Sequence, residues 1–321
     1  MQISKIYEPI QDGLIRVNEN LKSATKLGSP FLIELLDHVL DTEGKRIRPA
    51  ITLLTSNFQT HDNNKTEIMA TAVELLHIAT LIHDDIIDDA DFRRGKSTIS
   101  SLWGRNIAVL LGDYLFAASA THVCDTEHIK VIRSLAETIM HLSSGQLQEL
   151  SEIYNYNQTV EQYFERISNK TASLFSTSGE SGALLSGLPE NIVRALKEYS
   201  HNLGMAFQIV DDILDFEGTE EEVGKPLSND LSRGIMTLPS ILTRIKYPDD
   251  NAIRNLFEQP SNEEFLKRSV EIIRNSSSIK ESYLIVKQFG DRAKQSLVNL
   301  PQTPSRNSLE NLVDYIINRH K

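Results

Sequence analysis

Two short acidic runs set in apolar sequence constrain this chain more than any other feature: LIHDDIIDDADFRRGKST at residues 81–98 and FQIVDDILDFEG at 207–218. Each contains D-D-x-x-D. Helical periodicity surrounds both, and residues four apart on a helix share a face. Asp84 therefore lies one turn from Asp88, and Asp211 one turn from Asp215. A merely solvated face would show more interspersed polar residues than Leu, Ile, Val and Phe. Carboxylates in apolar surroundings are protonated or destabilising unless a cation compensates them. The pattern predicts two helices facing each other across a bundle, lining a cavity with oxygen ligands for a hard divalent ion such as magnesium.

No strand-like alternation competes with the helical period over useful length and no long low-complexity linker divides the chain, so the fold class expected is all-α, in one domain over residues 1–321. Prolines 30, 49, 189, 226, 239, 260, 301 and 304 fall where helices should start or stop, and HDNNK, SGLPE and TEEEVGKPLSNDLSRG read as loops. A net charge of −11 argues against a nucleic-acid partner, which needs a basic face to displace counterions. Cys124 is the single cysteine, so disulfide and thiolate-cluster frameworks are excluded and a reducing cytoplasm is expected. MQISKIYEPIQDGL resembles neither a secretory signal nor a transit peptide. The most apolar stretch, IAVLLGDYLFAASA, is interrupted by Gly112 and Asp113 and reads as too short for a transmembrane segment.

Cations stand near the acids. Arg93 and Arg94 follow the first run, and GKRIRP supplies Lys45, Arg46 and Arg48. Guanidinium forks and ammonium groups suit diphosphate oxygens, so a phosphate-bearing substrate is expected between metal on one side and bare cations on the other. His77 lies two turns before Asp84 on nearly the same face and is a candidate donor to that substrate; His83 is one position off that face and reads as structural.

Taken in order, GKRIRP, ELLHIATLIHDDIIDDADFRRGKST, NKTASLF, MAFQIVDDILDFEG, GKPLSNDL and TLP resemble the trans-isoprenyl diphosphate synthases, or polyprenyl synthetases, over nearly the whole chain. The resemblance implies a single large helical bundle of the isoprenoid synthase type I fold enclosing a deep central cavity, usually a homodimer, using Mg2+ (three ions with the allylic diphosphate bound, Mn2+ able to substitute) and isopentenyl diphosphate. Carried over, Asp84, Asp85, Asp88, Asp211, Asp212 and Asp215 are the metal ligands. Arg93, Lys170 and Lys225 grip the allylic diphosphate primer, and Lys45, Arg48, His77 and Arg94 form the metal-free pocket for isopentenyl diphosphate. Thr171 and Gln208 lie near the reacting carbons, where their dipoles and the carbonyls of Lys170 and Thr171 stabilise an allylic cation. The reaction implied is successive 1'-4 condensation after metal-assisted ionisation.

Two positions depart from the family pattern: Glu43 replaces a glycine before Gly44, and Ile235 stands where lysine is frequent, removing a charge from the allylic side. Upstream of Asp84 the positions that would floor the cavity, Ala79, Thr80 and Leu76, with Val73 and Ala72 below, include no aromatic residue. Each helical turn left open adds about 5.4 Å of depth, comparable with one C5 unit. A long product of about C30–C45, of the kind used for quinone side chains, is expected. The alternatives are a short-chain farnesyl or geranylgeranyl diphosphate synthase, and the catalytic subunit of a heteromeric long-chain synthase with a second small subunit.

Overall fold

The computed structural model describes residues 2–24, 28–40, 44–93, 95–217 and 228–319. Along the chain run α1 (Ile3–Ile6), α2 (Gln11–Ala24), α3 (Pro30–Leu40), α4 (Ile47–Ser56), α5 (Asn63–Ile87), the strands β1 (Phe92–Arg93) and β2 (Lys96–Ser97), then α6 (Ile99–Trp103), α7 (Arg105–Cys124), α8 (Ile129–Ser151), α9 (Val160–Ile167), α10 (Ser173–Leu185) and α11 (Glu190–Glu217). The remainder is α12 (Asn229–Ser232), α13 (Leu238–Lys246), α14 (Ala252–Glu258), α15 (Glu263–Asn275), α16 (Ser278–Leu297) and α17 (Pro304–Ile317). The all-α expectation holds, the paired strands being a two-residue hairpin with Phe92 opposite Ser97. Pro30 and Pro304 open α3 and α17, Pro49 and Pro239 sit in the first turns of α4 and α13, and Pro189 directly precedes α11. A proline's missing N–H is not needed there. HDNNK is only partly a loop, because Asp62 caps α5 by accepting the Asn64 N–H and the helix takes up the asparagines.

The chain forms two compact units, each built from three stretches. One comprises Met1–Glu137, Leu174–Ser200 and Ser296–Leu312. Its centre is α5, where Met69, Ala70, Ala72, Val73, Leu75, Leu76 and Ala79 are fully buried. α7 lies along it: the Ser119 hydroxyl donates to the Ala72 carbonyl at 2.7 Å, and a Cβ on Gly112 would fall 2.1 Å from His83 Nε2. Glycine at 112 thus admits the His83 ring, whose Nε2 is 3.2 Å from the Val109 carbonyl oxygen, in keeping with a structural role. The expectation that this apolar stretch is too short to span a bilayer is corrected here. Gly112 and Asp113 do not interrupt the helix: Arg105–Cys124 is 20 residues, and an 18-residue window of it has a mean hydropathy of 1.5, long and apolar enough by length and composition alone.

The second unit comprises Thr138–Ser173, His201–Gln295 and Val313–Lys321. In its core Ile209, Val210, Ile213 and Phe216 of α11 join Tyr163, Leu238, Ile241 and Ile273. Phe216 is pinned further by Arg274, whose Nε donates to its carbonyl at 2.6 Å. Burial of this kind contributes about 1.5–3 kcal/mol per large apolar side chain, which is what keeps α11 helical up to its acidic end.

Candidate active site

The first acidic run straddles a helix end. Asp84 and Asp85 occupy the last turn of α5; Asp88 is its C-cap, still in αR backbone, with its N–H on the Asp84 carbonyl at 2.8 Å. The one-turn stacking of Asp84 and Asp88 read from the sequence therefore stands. Carboxylates at this position face the negative end of the helix dipole as well as each other, which deepens the need for a cation. Asp89 then turns the chain with φ 48°, and the hairpin, with Gly95 at φ 77°, folds Arg93 back. Arg93 Nε donates to Asp85 Oδ1 at 2.6 Å. Burial pushes the Asp85 carboxyl above its usual range, with Arg93 opposing and Asp88 adding to the rise. Arg93, expected to grip the allylic diphosphate, is thus paired with one of the aspartates expected to be metal ligands. Arg94, Lys225 and the Glu43 departure lie outside the described residues.

The basic turn opens α4. Lys45 is exposed, and its carbonyl accepts the Tyr7 hydroxyl at 2.8 Å. Arg48 is half-buried, with Nη1 3.1 Å from His77 Nε2 and its guanidinium 4.7 Å from the Phe175 ring centroid. The structure thus brings together Arg48 and His77, which are 29 residues apart in sequence. Of the chain-length positions, Leu76 and Ala79 are fully buried, whereas Thr80 is half-buried and donates its hydroxyl to the His77 carbonyl.

In the second unit NKTASLF begins with a π-helical turn, Ser168–Ala172, between α9 and α10. Such a turn re-aims side chains within an otherwise regular helix. Gly145 permits it, since a Cβ there would fall 2.7 Å from the Lys170 backbone nitrogen. Lys170 Nζ reaches Glu149 Oε1 at 2.6 Å. Thr171 Oγ1 donates to Gln208 Oε1 at 2.6 Å, Gln208 Nε2 to Asp212 Oδ1 at 2.8 Å, and the Tyr163 hydroxyl to Asp212 Oδ2 at 2.6 Å. Asp212 is buried, and burial followed by the nearby Asp230 charge pushes its carboxyl up to about 7. Tyr163 is held well above the ordinary phenol range, foremost by burial and then by Asp212, so it stays a donor.

The second motif is sorted by environment. Asp215 is buried and accepts the Asp230 N–H at 3.3 Å, while Asp211 is more open and lies 2.8 Å from Arg319 Nη1. Ile235 is buried, so no charge stands at that departure. Sequence reading missed Glu149, Tyr163, Arg166 and Asp230. Arg166, 3 % exposed, lies 3.8 Å from both Glu149 and Glu152 and donates to the Met236 carbonyl. Burial raises the Glu149 carboxyl, but Lys170 and Arg166 outweigh it and hold the group below its usual value. Each run, taken by itself, offers carboxylate oxygens of the kind a hard divalent cation takes, and burial has made Asp85 in the first and Asp212 in the second costly to ionise alone. Among the described residues no three carboxylate, imidazole or thiol ligands converge on one point.

This fold and these motifs define a helical prenyltransferase. The polyprenyl synthetase family profile matches residues 29–273, and the chain belongs to that family. It is 35% identical over 326 residues to solanesyl-diphosphate synthase 2 of Oryza sativa subsp. japonica, covering 99% of this chain and 80% of that one. It is 37% identical to heptaprenyl diphosphate synthase component 2 of Geobacillus stearothermophilus, covering 98% of each. The crystal structure of a polyprenyl synthase from Caulobacter crescentus CB15, complexed with calcium and isoprenyl diphosphate, superposes with a TM-score of 0.94 at 30% identity, covering 100% of this chain and 98% of that one.

Proposed function

We propose that the chain lengthens an allylic diphosphate by successive 1'-4 addition of isopentenyl diphosphate, giving all-trans polyprenyl diphosphates of about C30–C45. The observation that carries this reading is the pair of D-D-x-x-D helices whose carboxylates are partly or wholly buried, with Asp212 pushed up to about 7. Long-chain output is supported by the solanesyl and heptaprenyl synthases it resembles and by the small residues upstream of Asp84.

Asp84, Asp85, Asp88, Asp211, Asp212 and Asp215 are assigned to magnesium, which when bound neutralises the diphosphate and makes it a better leaving group. Arg93, Lys170 and Lys225 take the allylic diphosphate oxygens, while Lys45, Arg48, His77 and Arg94 take isopentenyl diphosphate without metal. The allylic carbon–oxygen bond breaks, and the cation left is stabilised by the carbonyls of Lys170 and Thr171 and by Gln208. The double bond of isopentenyl diphosphate supplies the electron pair for the new carbon–carbon bond. The proton then lost goes to the released diphosphate, since Asp212, the carboxyl lifted nearest neutrality, is engaged by Tyr163 and Gln208.

A homodimer is the assembly expected, working in the cytoplasm. Leu102, Val109 and Leu110 on α6 and α7 are 51%, 42% and 65% exposed, an apolar face of the kind a second copy covers. The Geobacillus relative's designation as a component favours, as a second reading, the catalytic subunit of a heteromer. The test is Asp84→Ala and Asp211→Ala: each should lower turnover by about 10^3-fold or more with the circular dichroism spectrum unchanged. Retention of over about a tenth of the activity by either variant contradicts the reading.

A further inference from the structure

Arg46 lies between the two cations assigned to isopentenyl diphosphate, and its backbone is left-handed, with φ 49° and ψ 38°. A residue with a Cβ adopts that conformation at a cost and keeps it only where its surroundings over-determine it. Here Arg46 is the N-cap of α4, and its carbonyl accepts the Ala50 N–H at 2.9 Å. Its side chain parts from those of its neighbours. Lys45 is exposed and Arg48 meets His77, whereas Arg46 Nη1 runs inward to Glu74 Oε1 at 2.6 Å. The two side chains are 16% and 6% exposed. A carboxylate this enclosed is strongly destabilising without its cation, so Glu74 holds the guanidinium in and, through it, the left-handed turn. Glu74 also lies on α5 three residues before His77, so one face of one helix fixes both the strut under the turn and the imidazole that faces Arg48.

We propose that Glu74 is a positioning residue for isopentenyl diphosphate: its ion pair with Arg46 locks the left-handed turn that sets Lys45 and Arg48 apart for the diphosphate of that substrate. The inference rests on the assignment of Lys45, Arg48 and His77 given above. Glu74 does not touch substrate in this scheme; it acts through Arg46.

The test is steady-state titration of each substrate in the full chain, with thermal melts alongside. Arg48→Ala is the control for the pocket and should raise the KM for isopentenyl diphosphate about tenfold or more. Glu74→Gln, which keeps the shape and removes the charge, should raise the same KM by roughly fivefold to twentyfold, with kcat and the allylic KM within about twofold of the parent. Adding Arg46→Gly to Glu74→Gln should recover most of that loss, because glycine enters the left-handed region without a guanidinium to hold it there. A purely structural ion pair predicts the reverse, since the double variant removes more. An unaltered KM in Arg48→Ala overturns the pocket assignment itself. A raised KM in Arg48→Ala with a parental KM in Glu74→Gln overturns the positioning role alone, as does an equal loss for both substrates or a double variant no better than the single. Should Glu74→Gln fail to fold, Glu74→Asp, which withdraws the charge by one methylene, carries the same comparison.

Discussion

Replacing Asp212 by asparagine should stabilise the protein in the absence of divalent metal, by an amount that pH dictates. Asp212 is 4% exposed, and burial, then Asp230, lifts its carboxyl from 3.8 to about 7 despite hydrogen bonds from Tyr163 and Gln208. Between those two values the folded chain holds a proton that the unfolded chain has released. Raising the pH through that window therefore costs stability, and the cost is complete above about pH 7. At about 1.4 kcal/mol per pH unit the full window corresponds to about 4 kcal/mol, of which about 3 kcal/mol falls between pH 5 and 8. Asparagine carries no such charge. Its carbonyl still accepts from Tyr163, and turning over the Gln208 amide satisfies its N–H while Thr171 becomes an acceptor. Urea denaturation in chelator at several pH values gives the variant-minus-parent difference, which should grow by about 3 kcal/mol from pH 5 to 8. With magnesium in excess its sign should reverse, because only the parent gains the full binding free energy. A difference that stays flat with pH refutes the account of Asp212.

Glu149→Gln should destabilise at neutral pH by about 3 kcal/mol, since Arg166 is buried and loses part of its compensation. The Glu149 carboxyl is held below its usual 4.5, so its contribution is present above that value and disappears as pH falls through the lowered one; thermal melts should show the deficit shrinking below about pH 4.5. Thr80→Tyr should shift products towards C15–C20 while turnover with a short primer survives, as read by reversed-phase chromatography of dephosphorylated products. Ala79→Tyr places its ring at a fully buried position instead and should chiefly lower the melting temperature, by overpacking worth about 1–3 kcal/mol.

The helices bearing the aspartates were legible because their apolar neighbours repeat at the helical period and bury one face; α5 and α11 follow that pattern to their acidic ends. Proline positions likewise marked helix starts, for a reason local to one residue. What escaped was non-local. Nothing in SNKTA announces a π-helical turn, which depends on Gly145 leaving room for the Lys170 backbone. Spacing made Asp211 and Asp215 equivalent, yet one lies beside Arg319, over a hundred positions away, and the other is sealed beside Asp230. Glu149 and Tyr163 reach Lys170 and Asp212 across 21 and 49 positions. The inward turn of Arg46 was hidden in GKRIRP because its partner, Glu74, sits in ELLHIAT as an ordinary helix residue. Side chains that close such contacts are selected by tertiary packing, and a periodic pattern records only which face is buried.

Whether this chain by itself builds long all-trans prenyl chains is decided by incubating the purified protein alone with radiolabelled isopentenyl diphosphate, magnesium and either farnesyl or geranylgeranyl diphosphate, then sizing the dephosphorylated product. A ladder ending between C30 and C45, absent when magnesium is chelated, is expected. Product that stops at C15 or C20, or no product until a second subunit is added, would contradict it.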